Sequence, residues 1–140
     1  MSAAAETVEL RSTVKVHLED TDAGGIVYHA NYLKFFERAR TDFLEEHGAG
    51  LKGSQDLGFR FVVHSLSIQF HKPALLGDRL QIVTHAHMAS PYRVTFEQRA
   101  FRAGEPQAIT SGKVDVVCID AEGGLTEIGP ELLRVPHHPG

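Results

Sequence analysis

A chain of 140 residues with 42% hydrophobic content and a formal net charge of −4 has one domain's worth of sequence and a real but modest core. The acidic balance argues against a general nucleic-acid binder, which needs a basic stripe. The single cysteine, Cys118, excludes an internal disulfide framework and fits a reducing compartment.

No apolar run approaches the ~20 residues of a membrane span, so no stable membrane insertion is expected. The opening Met1-Ser2-Ala3-Ala4-Ala5-Glu6 lacks the charged-then-apolar order of a signal peptide. A cytoplasmic location is therefore expected. The ends, Met1 to about Glu6 and Val135 to Gly140, read as loose tails on a single domain whose core runs from about residue 8 to 133.

Residues 8 to 19 alternate, with Val8, Leu10, Val14, Val16 and Leu18 on one side and Glu9, Arg11, Thr13, Lys15, His17 and Glu19 on the other. That alternation predicts a half-buried strand. The run Glu19-Asp20-Thr21-Asp22-Ala23-Gly24-Gly25-Ile26-Val27-Tyr28-His29-Ala30-Asn31-Tyr32 follows and leads into the one long helix. There Tyr32, Phe36, Ala39 and Phe43 recur at helical spacing, Leu33 and Leu44 widen the stripe, and Gly48 and Gly50 end it.

Four more strands are predicted, at roughly Arg60 to Phe70, Arg79 to Met88, Arg93 to Arg102 and Gln107 to Ile119, separated by turn signals at 73–78, 89–91 and 103–106. A strand, one long helix and then a run of strands reads as α+β, with the helix against one face of an antiparallel sheet.

The glycine-bearing run carries the chemistry. A turn there can hold Asp22 near the first helical N–H groups, which have no intrahelical partner and lie at the positive end of the helix dipole. A carboxylate that activates water or attacks, beside donors that receive charge on an oxygen, is what acyl transfer needs. The plainer alternative is that Asp20 and Asp22 only cap a helix.

The pattern D-x-D-x-x-G-x-V-Y-H-x-x-Y, followed by Leu33-Lys34-Phe35-Phe36-Glu37-Arg38-Ala39-Arg40, resembles the hotdog-fold acyl-CoA thioesterases of the YbgC type, relatives of 4-hydroxybenzoyl-CoA thioesterase. The likeness runs from about Val14 to Leu133 and includes His71-Lys72-Pro73-Ala74, Gly77-Asp78-Arg79-Leu80 and Phe96-Glu97-Gln98-Arg99. It implies a sheet wrapped around one helix, a homodimer or homotetramer with sites at its interface, and acyl-CoA as the small-molecule substrate. It implies Asp22 as the catalytic carboxylate and the backbone N–H of His29 as the group that polarises the thioester carbonyl.

The His29 imidazole is read either as orienting water or Asp22 or as filling the site mouth. Tyr28 is expected beside the acyl group, Asn31 beside the substrate, and Asp20 as a loop-fixing acceptor. Arg60, Lys72 and Arg93 are candidates for the coenzyme A phosphates. The turn Ala89-Ser90-Pro91-Tyr92-Arg93 keeps one base where 4-hydroxybenzoyl-CoA thioesterase carries a basic cluster, a departure from the pattern behind that enzyme's nucleotide contacts and aromatic substrate.

Glu37 is the rival carboxylate, because another hotdog branch places its acid on the helix, but basic neighbours favour an ion-paired or hydrogen-bonded helix residue there. Cys118 reads as a buried apolar residue. His85 and His87 share a strand face without acidic or thiol partners at ligand spacing, so neither a metal nor another cofactor is expected. The alternative of another class is a non-catalytic acyl-CoA or acyl-carrier-protein binding module. A hydratase needs a different Asp/His arrangement. YbgC-type enzymes are also associated with short-chain or phospholipid-related thioesters and with the Tol–Pal cell-envelope system, a context no residue here demonstrates.

Overall fold

The computed structural model describes residues 8–137; the expected tail at Met1–Glu6 and the last three residues lie outside them. The elements in order are β1 (Val8–Lys15), α1 (Asn31–His47), α2 (Gly50–Asp56), β2 (Arg60–Phe70), β3 (Arg79–Ser90), β4 (Arg93–Arg102), β5 (Ala108–Ile119) and β6 (Leu125–Thr126). The strands form one antiparallel sheet in the order β1-β3-β4-β5-β2, with β6 paired to the end of β5. With α1 laid across one face, this is the α+β hotdog arrangement.

The apolar stripe of α1 buries Tyr32, Phe35, Phe36, Ala39, Phe43 and Leu44. Spacings of three and four put them on one face of the helix, and the sheet supplies the matching surface. Two apolar clusters result. One joins Phe43 and Leu44 to Phe96, Val116, Cys118 and Leu132; the other joins Tyr32, Phe35 and Phe36 to Val16, Val27, Ile82 and Ile109. The helix approaches the sheet closely at Gly112, where a Cβ would lie 3.0 Å from the Phe36 ring.

Three features depart from the sequence expectations. The first strand stops at Lys15, because the Asp20 carboxylate accepts the His17 N–H at 2.9 Å and draws residues 18–20 into a one-turn 3-10 helix. Leu18, expected on the buried side, is instead 74% exposed. A second helix, α2, follows the first; Gly48 ends α1, while Gly50, with φ of 77°, starts the next. The chain also stays engaged past Leu133: Val135 packs on the first cluster and the Pro136 carbonyl accepts the Met88 N–H at 2.8 Å, where a loose tail was expected.

β2 carries a bulge between Val63 and Ser65. Its residues explain why. Phe61 and Val63 fall on odd positions, Leu66, Ile68 and Phe70 on even ones, so one extra residue is required to keep all five on the face that α1 covers. In register they oppose Cys118, Val116, Val114, Gly112 and Thr110. On the other face Asp115 accepts from Thr95 at 2.7 Å and Ser65 at 3.2 Å, tying three strands together.

Gly112→Val puts methyl groups into the space of the Phe36 ring and is expected to destabilise the fold by about 1–3 kcal/mol, read as a lower denaturant midpoint at constant m-value. An unchanged midpoint would contradict the close approach of helix and sheet.

Candidate active site

Residues 20–29 form a closed hairpin that feeds the helix. Thr21 and Val27 bridge; the Asp22 N–H donates to Ile26 O at 2.9 Å and the Gly25 N–H to Asp22 O at 3.0 Å. Gly25 takes φ of 79°, a left-handed conformation that a side chain would strain. The Asp22 side chain is exposed and its Oδ1 accepts the Gly24 N–H at 2.9 Å. That bond fixes the carboxylate's direction and leaves Oδ2 without a donor among the described residues.

The hairpin is fastened on both flanks. The Tyr28 N–H donates to Asp20 O at 3.0 Å, and the Asn31 amide donates to the same carbonyl at 2.8 Å. Opposite, the Val27 N–H donates to Ala74 O at 2.9 Å and the Leu76 N–H to Gly25 O at 3.3 Å. The 73–78 loop is itself held by Arg102, whose guanidinium bonds Asp78 at 3.0 Å and Pro73 O at 2.7 Å. Its bonds to Asp78 and Glu105 raise the Arg102 pKa further above its ordinary value.

Asp22 thus lies on a turn directly before the start of α1, in the same segment as His29. The helix has no side-chain cap at its first residue. Among the described residues neither the His29 nor the Ala30 backbone N–H has an acceptor, so two donors stand open at the positive end of the helix.

The His29 imidazole makes no hydrogen bond to Asp22. It stacks against Tyr28, with ring centroids 4.5 Å apart, and meets Phe70 edge-on at 6.1 Å. Phe70 in turn contacts Tyr32 at 5.6 Å, and the Tyr32 hydroxyl accepts the Ala74 N–H at 3.3 Å. Phe70, which meets the His29 ring and packs on the buried Tyr32, is the residue beside the candidate site that sequence reasoning missed. Phe70 read only as the last apolar residue of a strand, and nothing in the sequence joins it to a helix start 40 residues earlier.

Lys72 follows β2 and lies at the Phe70 end of that strand. Arg60 is the first residue of β2, roughly 33 Å from Phe70 along the strand at about 3.3 Å per residue. Arg93 opposes Val117, which opposes Val62, so it lies at the Arg60 end as well. One chain therefore brings Asp22, Tyr28, His29, Asn31 and Lys72 to one end of the sheet, and leaves Arg60 and Arg93 at the other.

Glu37 is exposed on α1 and makes no ion pair among the described residues, although its charge acts on Arg40. Cys118 is buried, and burial pushes its thiol pKa up. His85 pairs with Glu9 at 3.4 Å. No group of three or more His, Cys, Asp or Glu is set to hold a metal among the described residues, and no helix there is long and apolar enough to cross a membrane.

Residues 16–135 match the Thioesterase-like superfamily. The chain belongs to that family. It is 39% identical over 114 residues to the acyl-CoA thioester hydrolase YbgC of Escherichia coli O6:H1, covering 81% of this chain and 84% of that protein. It is 41% identical over 110 residues to the acyl-CoA thioesterase YbgC of Haemophilus influenzae, covering 76% and 78% respectively. Among solved structures, a probable thioesterase from Bartonella henselae superposes with a TM-score of 0.77 at 29% identity, covering 87% of this chain and 100% of that one.

Asn31→Ala removes the amide that holds the Asp20 carbonyl and is expected to destabilise the protein by about 1 kcal/mol. Amide exchange should quicken at Gly24 and Gly25. Unchanged stability and exchange would mean that Asn31 does not secure the hairpin.

Proposed function

We propose that the chain is an acyl-CoA thioester hydrolase that acts through Asp22. The observation that carries this reading is the closed Asp20–Val27 hairpin, which orients a carboxylate on the turn that leads directly into the open His29 and Ala30 N–H groups, in a chain of the thioesterase family. Two YbgC relatives named for acyl-CoA thioester hydrolysis support the substrate class.

The thioester carbonyl oxygen is received at the helix start, where the backbone donors stabilise the negative charge that grows on it. Asp22 then either takes a proton from water as that water attacks the carbonyl carbon, or attacks directly and forms a mixed anhydride that water opens. Either way the C–S bond breaks, the sulfur leaves as coenzyme A thiol, and the acyl group leaves as a carboxylic acid. The rings of Tyr28, Tyr32 and Phe70 form an apolar wall, and Lys72 supplies positive charge at the rim. The chemistry is carried by the chain's own groups, in a cytoplasmic setting.

The working unit is proposed to be a homodimer, with pairing of dimers into a tetramer open to it. β2 ends the sheet with its outer edge unpaired among the described residues, and Val62, Val63, Leu66 and Phe70 are 40–48% exposed on it. A long apolar edge of this kind is a template for another strand. Antiparallel pairing of two β2 edges about a two-fold axis at mid-strand carries Arg60 of the partner subunit toward Phe70, which would give it the phosphate-binding role it lacks within one chain.

Asp22→Asn is expected to lower thiol release from acyl-CoA by at least about 100-fold with an unchanged unfolding midpoint. Turnover near wild type would remove Asp22 from the chemistry, and binding without any turnover in wild type would leave the acyl-binding module. Leu66→Glu is expected to shift the particle to monomer mass by light scattering and to reduce activity with it. A dimer that survives this change would rule out the β2 edge as the contact.

A further inference from the structure

A cavity of 280 Å³ opens beside α1 between the helix and the β2 end of the sheet. Leu44, Leu51, Phe61, Val63, Phe96 and Val116 make its walls apolar, while Glu37, Arg40 and Thr41 give it one polar side. Its volume falls near the lower end of the usual range for small-ligand sites.

Arg40 is only partly exposed, and burial lowers its pKa, an effect that Glu37 offsets in part. Among the described residues the guanidinium makes one hydrogen bond, from Nη1 to Gln98 Oε1 at 3.0 Å, and no ion pair. Gln98 is fully buried and its amide nitrogen donates to Phe36 O at 2.9 Å and to Thr84 Oγ1 at 3.0 Å. Both amide hydrogens are thereby used, so the Gln98 oxygen can point only toward Arg40. The guanidinium is aimed, half-desolvated, and left with most of its five donors unspent beside an apolar chamber.

The polar side of the chamber, Glu37, Arg40 and Thr41, lies on the helix whose start carries the candidate active site. Gln98 hydrogen-bonds both Arg40 and the Phe36 carbonyl, so the guanidinium is held near the Phe36 turn, and Phe36 is six residues along the helix from Ala30, roughly 9 Å at about 1.5 Å per residue. An extended chain advances about 1.2 Å per bond, so the five bonds of a six-carbon acyl group cover roughly 6 Å from a carbonyl at the helix start toward that turn.

We infer that this cavity receives the far end of the acyl group, and that Arg40, aimed by Gln98, selects acyl groups whose far end carries an uncharged oxygen acceptor. The inference rests on the acyl-CoA reading above. A hydroxyl can accept from Arg40 and donate to Glu37, a plain methyl end leaves the guanidinium donors unsatisfied, and a carboxylate meets the Glu37 charge.

The test compares hexanoyl-CoA with its ω-hydroxy and ω-carboxy counterparts, by thiol release and, in parallel, by calorimetric affinity with Asp22→Asn. The full-length protein is expected to favour the ω-hydroxy substrate over hexanoyl-CoA about tenfold in kcat/KM, with the ω-carboxy substrate below the hydroxy one. Arg40→Met should bring the hydroxy-to-methyl ratio close to one. Leu51→Phe, which adds bulk to the chamber's apolar lining, should raise KM for six-carbon substrates relative to acetyl-CoA.

A wild-type ratio near one, a ratio that survives Arg40→Met, or dissociation of the wild-type assembly by Arg40→Met would each overturn the inference. Loss of all thiol release would defeat the hydrolase reading alone, because the affinity ratio still reports on the cavity.

Discussion

The fastening of the Asp20–Val27 hairpin between the helix and the 73–78 loop is the constraint on which the rest of the molecule depends. A glycine-rich turn left to itself samples many conformations, and a carboxylate on it would be a surface charge. Here Asp20 O takes two donors from the helix side, Tyr28 and Asn31, while Ala74 O and Leu76 N–H hold Val27 and Gly25 from the sheet side. Arg102 secures that second anchor through Asp78 and Pro73. The turn therefore inherits the rigidity of the β-sheet, and Asp22 inherits it from the turn.

The helix is fixed by a different balance. Its apolar face supplies most of the driving force, since each large buried side chain is worth about 1.5–3 kcal/mol. Apolar packing alone tolerates sliding along the axis, whereas directional contacts do not. Gly112 lets Phe36 sit close to the sheet, and the buried Gln98 amide bonds the Phe36 carbonyl. A buried amide with its hydrogens satisfied is stable in that position and costly to leave unpaired elsewhere. The helix start, and with it the open N–H groups of His29 and Ala30, is thus set in depth as well as direction.

Much of this was legible in the sequence because period and local chemistry decide it. β2 and β4 begin and end where alternation and turn residues predict, and the stripe through Tyr32, Phe36, Ala39 and Phe43 is the buried face of α1. The turn of Asp22 was legible from its glycines. What escaped depends on meetings between distant segments. The Phe70 ring at His29, the Tyr32 hydroxyl at Ala74 and the guanidinium of Arg40 at Gln98 each join residues dozens of positions apart. The short α2 was hidden because Gly50, Gly53 and the polar residues around them give no amphipathic signal. The bulge at His64 was written in the change of phase from Phe61 and Val63 to Leu66, Ile68 and Phe70, but alternation alone does not say that a strand continues through such a change.

The proposed chemistry requires a thioester carbonyl held between the Asp22 turn and the first N–H groups of α1. A crystal structure of Asp22→Asn with an acyl-CoA analogue, in which a methylene replaces the thioester sulfur, tests it most directly. The ketone oxygen is expected about 2.7–3.1 Å from the His29 backbone nitrogen, with residue 22 facing the carbonyl carbon and the acyl group directed along α1. An analogue bound with its carbonyl away from the helix start, or on the outer face of the sheet, would contradict it.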